Sequence, residues 1–202
     1  MTAAARRLVL ASQSPARLAT LRSAGLAPEV VVSGVDESAV DVEDPAELSL
    51  ELARQKASAV AGLVGTGALV VGCDSVLELD GAAYGKPGSP AVAVERWRRM
   101  RGRSGVLHTG HWVVDTGSGR SLGRGARSTV HFAPLSDDEV DAYVGSGEPL
   151  QVAGAFTLDG LGGAYVTGIE GDPHNVVGIS LPLLRELFAE LGVAWHTLWT
   201  RR

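Results

Sequence analysis

The chain has 202 residues, 45% of them hydrophobic and 20% charged, enough for one large domain or two small lobes around a buried core. With 18 Lys+Arg against 23 Asp+Glu the net charge is −5, which excludes the broad basic face of a general nucleic-acid binder but not a local cation cluster for a small anion. One cysteine excludes an intrachain disulfide and suits a reducing compartment. No apolar segment of signal-peptide length follows Met1–Arg7, and the uncharged run from Ala57 to Cys73 is interrupted by glycines. That run reads as a helix end, a turn and a strand. A cytoplasmic chain with no membrane and no nucleic-acid partner is expected.

Leu8–Ala11 reads as a short buried strand, followed by Ser14 as a helix N-cap and Pro15 at the first helical position. That helix stops at Gly25, and Glu29–Ser33 reads as a second strand. Pro45 opens a longer helix with Leu48, Leu52 and Ala59 on its apolar stripe. Ala68–Gly72 is a β-rich run ending at Asp74, and Val76–Tyr84 resembles a hairpin around Asp80-Gly81. Pro90–Arg101 is predicted helical. Val106–Val114 and Ser128–Phe132 are predicted strands either side of a glycine-rich turn at Asp115–Gly119. Ser136 and Glu139 form a capping box, Gly163–Ile169 is a strand, and Leu181–Leu191 is the last long helix. Irregular alternation with a hairpin predicts an α/β protein with a mixed sheet and helices on its faces.

The segment Ala11-Ser12-Gln13-Ser14-Pro15-Ala16-Arg17 joins a strand end, a polar loop and a helix start. Free first-turn N–H groups make such a start a natural phosphate site, with Ser12 and Ser14 adding hydroxyls and Arg17 a guanidinium fork. Taken alone, Ser14 is an ordinary cap and Arg17 a solvated helix residue. Asp74, after a buried strand, has the chemistry to bind a divalent metal or take a proton from water, with a plain turn-former as the alternative. Glu37 stands equally for a loop charge. Lys86, in the turn Tyr84-Gly85-Lys86-Pro87, and Lys56, on the long helix, are each a phosphate clamp or a surface lysine. Cys73 reads as a small buried apolar residue. Arg96, Arg98, Arg99, Arg101 and Arg103 read as a solvated helix face. The five histidines show no paired metal-ligand spacing. Gly160-Leu161-Gly162-Gly163 lacks the Lys-Ser/Thr of a P-loop.

Together these fragments resemble the Maf nucleotide pyrophosphatases. Leu10-Ala11-Ser12-Gln13-Ser14-Pro15-x-Arg17 is similar to the family's opening signature. Val35-Asp36-Glu37, Gln55-Lys56-Ala57, Gly72-Cys73-Asp74-Ser75 and Gly85-Lys86-Pro87 follow in the family's order. Thr109-Gly110, Gly147-Glu148-Pro149, Ala153-Gly154-Ala155 and the stretch from Ile169 to Gly178 resemble its remaining blocks, so the likeness runs from about Leu8 to about Leu191. The resemblance implies a single Maf-like domain over residues 1–202, with an elongated mixed β-sheet flanked by helices and two lobes with a central cleft. It implies hydrolysis of a nucleoside triphosphate to the monophosphate and pyrophosphate, with Mg²⁺ or Mn²⁺ as cofactor. Ser12, Arg17, Lys56 and Lys86 would hold the triphosphate, Asp74 would be the proton acceptor, and Glu37 with Asp74 would bind the metal. A homodimer stays open. Three positions tied to base choice depart from the family's pyrimidine-selective pattern of Arg, Thr and Gln: here they are Ala16, Ser75 and Asp159. The alternative from another class is a nucleotide-binding regulator of cell division or septum formation. Retention of Asp74, Lys56 and Lys86 favours the enzyme.

Overall fold

The computed structural model describes residues 6–200. Met1–Ala5, on which the reading of the N-terminus partly rests, lie outside the described residues. The strands are β1 (Arg7–Leu10), β2 (Glu29–Val30), β3 (Ala68–Leu79), β4 (Ala82–Tyr84), β5 (Ser104–Asp115), β6 (Ser121–Phe132) and β7 (Val166–Glu170). They form one mixed sheet in the order β2-β1-β3-β5-β6-β7, with β4 also paired to β3. β1 is parallel to β2 and β3, and all other pairings are antiparallel. The helices are α1 (Pro15–Ser23), α2 (Pro45–Val64), α3 (Pro90–Met100), α4 (Asp137–Gly145), α5 (Pro173–Val177) and α6 (Leu181–Glu190). The side chains of Ser14, Asp44, Ser89, Ser136, Asp172 and Ser180 each accept a first-turn N–H, as capping chemistry requires. Ser136 and Glu139 form the expected capping box. Asp80 and Gly81 both take positive φ, 55° and 76°, and make the tight β3–β4 turn.

Several elements differ from the sequence reading. β2 is two residues long rather than reaching Ser33, because β1 ends at Leu10 and leaves it no further partner. Ala59 faces solvent; the buried stripe of α2 is Ser49, Leu52, Ala53, Lys56, Ala57 and Val60. β3 does not stop at Asp74 but continues to Leu79, since β5 pairs with it from Leu69 to Glu78. β6 begins at Ser121, where Trp112 of β5 lies over Gly123 so closely that a Cβ there would sit 1.9 Å from the ring. Leu161–Tyr165 is a tight helical turn, so β7 starts only at Val166. The short helix α5 was not expected at all.

The long strands β3, β5 and β6 run through two lobes. In the first, α1 and α6 cover one face over Leu10, Leu69, Val71, Cys73, Leu184 and Phe188, and α2 covers the other over Val9, Val60 and Val70. In the second, α3 and α4 pack Trp97 and Tyr143 edge-on, ring centroids 5.5 Å apart, over Leu77, Phe132 and Phe156. One edge of β3 records this division. Its Ala68–Val71 equivalent positions pair with β1 and its Leu77–Leu79 positions with β4, so Gly72 to Val76 have no strand partner on that side. The cleft between the lobes opens there.

Two glycines set how closely α2 lies on the sheet. A Cβ at Gly72 would sit 2.3 Å from the Ala53 carbonyl oxygen, and one at Gly110 would sit 2.2 Å from the Ser49 carbonyl oxygen. Gly110 is the register partner of Asp74. Gly72→Ala is therefore expected to push α2 away and to cost about 1–3 kcal/mol of stability. Gly62→Ala, in α2 with nothing within 4 Å of its Cβ, should instead stabilise by about 0.5–1 kcal/mol through helix propensity. Urea melts of the two variants check the contrast; equal effects would mean that close packing at Gly72 does not matter.

Candidate active site

The cleft has a volume of about 660 Å³. Every site residue expected from sequence lines it: Ser12, Ala16, Arg17, Glu37, Lys56, Asp74, Ser75, Lys86 and Asp159. A smaller hollow of about 300 Å³ over Val42, Leu50 and Trp112 has Glu47 and Glu51 in its wall and no cation, so it cannot hold a polyphosphate.

Asp74 and Ser75 stand at the unpaired edge of β3 and point to opposite faces of the sheet. On the α2 face, the Lys56 ammonium lies 2.5 Å from Asp74 Oδ1 and 2.7 Å from Glu37 Oε1. Lys56 and Asp74 are 7% and 8% exposed, so this is a buried charge cluster rather than a surface ion pair. Burial pushes the Asp74 carboxyl above its ordinary range, and the fields of Lys56 and Arg17 offset this only in part. Burial acts the same way on Glu37, but there the hydrogen bond from Lys56 and the charges of Lys56, Lys86 and Arg17 prevail and hold it below its ordinary value. Two neighbouring carboxylates are thus pushed apart, as an acid–base site needs.

On the other face, Arg17 is 9% exposed and tied three ways. Its Nε donates to the Gly178 carbonyl at 2.7 Å, Nη1 to Ser12 Oγ at 3.1 Å and Nη2 to Ser75 Oγ at 3.0 Å. A guanidinium has five N–H donors, so about two remain for a ligand. Ser75 Oγ lies 3.0 Å from Thr109 Oγ1, which itself donates to the Asn175 carbonyl. Thr109 has one hydroxyl proton, so the Ser75 hydroxyl donates to Thr109 and accepts from Arg17. Asn175 Nδ2 in turn donates to the Leu107 carbonyl and Ser128 Oγ. A buried polar chain therefore fixes the guanidinium. At the α1 start, Ser14 accepts the Arg17 N–H and donates its own N–H to Ser12 Oγ, while the Ala16 N–H, in the first turn, has no helical acceptor.

The second lobe supplies the far wall. Lys86 is exposed on the turn after β4. Asp159 sits on a loop organised by Glu148, whose carboxylate accepts from Tyr143 Oη, Thr157 Oγ1, and the Leu161 and Gly162 N–H groups. Burial works against charge on Glu148, but these bonds outweigh it and lower its carboxyl. Sequence reasoning gave no role to Thr109, Glu148 and Asn175, which it quoted only as parts of matching blocks and which support the cleft walls, and it misplaced Arg96. Arg96 was placed on a solvated face, whereas it is 8% exposed. The signal was present, because Ala93, Arg96, Trp97 and Met100 share one helical stripe. Arg98, Arg99 and Arg103 are exposed as expected. Cys73 is fully buried, with its thiol pushed up to about 12 by burial. His111 is also buried; its Nδ1 bonds the Thr109 carbonyl, its Nε2 accepts the Ser180 N–H, and burial pushes it down to about 4, so it is neutral.

With this geometry in place, the comparisons with known proteins are consistent. The model of the Maf-like protein family matches residues 7–191. The chain belongs to the Maf family. A Streptomyces coelicolor protein named nucleoside triphosphate pyrophosphatase is 61% identical over 195 residues, covering 96% of this chain and 95% of that one. Relatives of the same name from Salinispora tropica and Cutibacterium acnes are 59% and 53% identical, each over at least 95% of this chain, and 88% and 93% of their own lengths are covered. Among solved structures, the Staphylococcus aureus Ham1 protein aligns over 96% of this Maf chain and 94% of its own, at 13% identity and TM-score 0.46.

The raised Asp74 carboxyl has a stability consequence. The unfolded chain loses this proton at the ordinary carboxylate value, before the folded chain does. Folding therefore loses stability as pH rises from the unfolded towards the folded value, and the loss is complete above the latter. Asp74→Asn removes that penalty and leaves Lys56 paired with Glu37. Thermal melts should show Asp74→Asn more stable than the wild type near pH ~7, the gap closing as pH falls below the ordinary carboxylate range. A less stable variant near neutrality would mean that the Lys56 ion pair outweighs the burial of Asp74.

Proposed function

We propose that this Maf protein hydrolyses nucleoside triphosphates to monophosphate and pyrophosphate with the help of Mg²⁺ or Mn²⁺, and so removes noncanonical or surplus nucleotides. Family membership and relatives of one name at 50–61% identity make the chain a nucleoside triphosphate pyrophosphatase, a hydrolase. The observation that carries the chemical reading is one cleft joining a buried carboxylate, Asp74, to three cations, Arg17, Lys56 and Lys86.

The donor set fits a hard divalent cation. Glu37 and Asp74 reach the same Lys56 ammonium, so their oxygens converge on one region. No third His, Cys, Asp or Glu joins them among the described residues. The other ligands would be phosphate oxygens and water, which is how Mg²⁺ is commonly held. Such an ion would neutralise phosphate charge and lower the pKa of nearby water. The chain's own residues do the rest. The Ala16 N–H, Ser12 and the free Arg17 donors take phosphate oxygens from the first lobe, and Lys86 takes them from the second. Asp74 accepts the proton of a water whose oxygen bonds the α-phosphorus as the bond to the bridging oxygen breaks. Lys56, Lys86 and Arg17 offset the charge that builds on the departing pyrophosphate. The raised carboxyl of Asp74 makes it a better base than an exposed aspartate, because its affinity for the proton is higher.

A screen of nucleoside triphosphates for pyrophosphate release, with Mg²⁺, with Mn²⁺ and with chelator, tests the reading. Turnover should require the metal. Asp74→Asn should lose roughly 10²–10⁴ in rate while still binding nucleotide, as expected on removing a general base. Arg17→Ala, Lys56→Ala and Lys86→Ala should each raise KM or lower kcat, whereas Arg98→Ala and Arg99→Ala should not. Near wild-type turnover by Asp74→Asn would refute its role as base. The base-facing positions generate a second expectation. An aspartate side chain such as Asp159 has no amide N–H to donate where glutamine has one, and Ala16 leaves space where the pyrimidine-selective pattern has an arginine. The wild type should therefore accept triphosphates beyond dTTP and UTP, and Ala16→Arg with Ser75→Thr and Asp159→Gln should shift kcat/KM towards those two. A wild type confined to dTTP and UTP would refute this base assignment and leave the hydrolase assignment standing.

A further inference from the structure

We propose that Arg96 is a positioning residue for substrate binding: it holds the Gly85 carbonyl and so fixes the turn that presents Lys86 to the triphosphate. The inference rests on the pyrophosphatase reading above. Arg96 lies on the buried stripe of α3 at 8% exposure. Its Nη1 donates to the Gly85 carbonyl oxygen at 2.5 Å, and its guanidinium carbon stands 5.0 Å from the centroid of the Tyr84 ring. Both contacts fall on the two residues that precede Lys86.

The fold alone gives little reason for a cation here. No carboxylate lies within ion-pair distance of Arg96 among the described residues, and its Nε is buried with no hydrogen-bond partner. A buried cation without an anion, carrying an unmet donor, costs stability. An apolar side chain between Ala93 and Trp97 would carry no such cost. What an apolar side chain lacks is a donor that reaches across to the Gly85 carbonyl while stacking on Tyr84.

Lys86 needs such support. Its side chain is exposed and has no hydrogen bond or ion pair to another side chain among the described residues, so its direction depends on the backbone of its turn. That backbone has three outside tethers. Gly85 O accepts from Arg96 and, at 3.2 Å, from the Gly154 N–H; the Gly88 N–H donates to Leu150 O at 3.1 Å. The neighbouring Trp97 donates to the Ala155 carbonyl at 2.8 Å. Consecutive residues of α3 thus hold the Lys86 turn and the start of the Phe156–Asp159 wall in fixed relation. Without Arg96 the Lys86 turn keeps Gly154, Leu150 and the 3.5 Å contact of Arg99 Nη1 with Tyr84 Oη, but loses the only side-chain hydrogen bond to its backbone among the described residues.

The test is a double-mutant cycle. Arg96→Met and Arg96→Lys are made in the wild type, in Lys86→Ala and in Arg17→Lys, and kcat, KM and Tm are measured with the triphosphate that the wild type turns over fastest. Arg96→Met should lose roughly tenfold in kcat/KM, mostly through KM, in line with the cost of a displaced binding group. Its Tm should equal or exceed that of the wild type, because a buried unpaired charge is removed. Arg96→Lys, which keeps a donor but not the planar fork, should fall between. In Lys86→Ala the Arg96→Met loss should shrink below about twofold, while in Arg17→Lys the tenfold loss should persist. Undiminished loss in Lys86→Ala overturns the proposal, as does a loss that follows a fall in Tm for both Arg96 variants. A Lys86→Ala enzyme with wild-type kcat/KM also overturns it. Absence of pyrophosphate release from any triphosphate by the wild type would instead overturn the functional reading on which it rests.

Discussion

The site depends first on how closely α2 can lie against β3 and β5. Gly72 and Gly110 remove the side chains that would meet the backbone at Ala53 and Ser49. Close approach brings Lys56, on the buried stripe of α2, down to the level of Asp74. A lysine buried on a helix stripe would be a liability without an anion beneath it, and a buried aspartate would be one without a cation above it. Lys56 is compensated by Glu37 as well as by Asp74, while at Asp74 burial still outweighs the nearby cations and keeps the carboxyl raised. The same packing that closes the core therefore places Asp74, the proposed proton acceptor.

The second constraint is the break in pairing along β3. A strand edge with free backbone groups is normally covered or paired. Here β1 and β4 cover its two ends and leave Gly72–Val76 unpaired on that side, with Asp74, Ser75 and Val76 lining the cleft. Because adjacent residues of a strand face opposite ways, Asp74 and Ser75 serve different faces. Asp74 meets α2 and Glu37. Ser75 meets Arg17 and, through Thr109, the α5 backbone. The opening lets one ligand reach both. Ser75 is already engaged in holding Arg17, so an influence of this position on substrate choice, as proposed above, would pass through the guanidinium as well as through direct contact.

The far wall is built by different means. The loop bearing Asp159 is anchored by Phe156 and Leu158 on the second-lobe core and is organised beyond them by the Glu148 carboxylate. Gly160 and Gly162 sit where a Cβ would strike Glu148 Oε2 at 2.5 Å and Tyr143 Oη at 2.3 Å. The loop can change its cleft-facing residues while Glu148, Tyr143 and the two glycines keep its path. On the proposed function, this separation of scaffold from contact residues would let the site vary its base preference without losing its fold.

What could be read in the sequence was whatever local chemistry determines. The caps at Ser14 and Ser136, the Asp80-Gly81 turn, the prolines that open helices and the hydrophobic strands all act over a few residues. The ordered blocks from Leu8 to Leu191 placed the chain in its family and named nine residues that all line one cleft. Helical periodicity could also have placed Lys56 and Arg96 on buried faces, although charge argued the other way. What only the tertiary structure decided depends on partners distant in the chain. β3 runs past Asp74 because β5 pairs with it, β2 stops because β1 stops, and the donors of Arg17 are spent on Ser12, Ser75 and Gly178. The carboxyls of Asp74 and Glu37 shift in opposite directions because burial prevails at one and neighbouring cations at the other. Burial and long-range pairing are properties of the assembled sheet and its helices, and no window of sequence contains them.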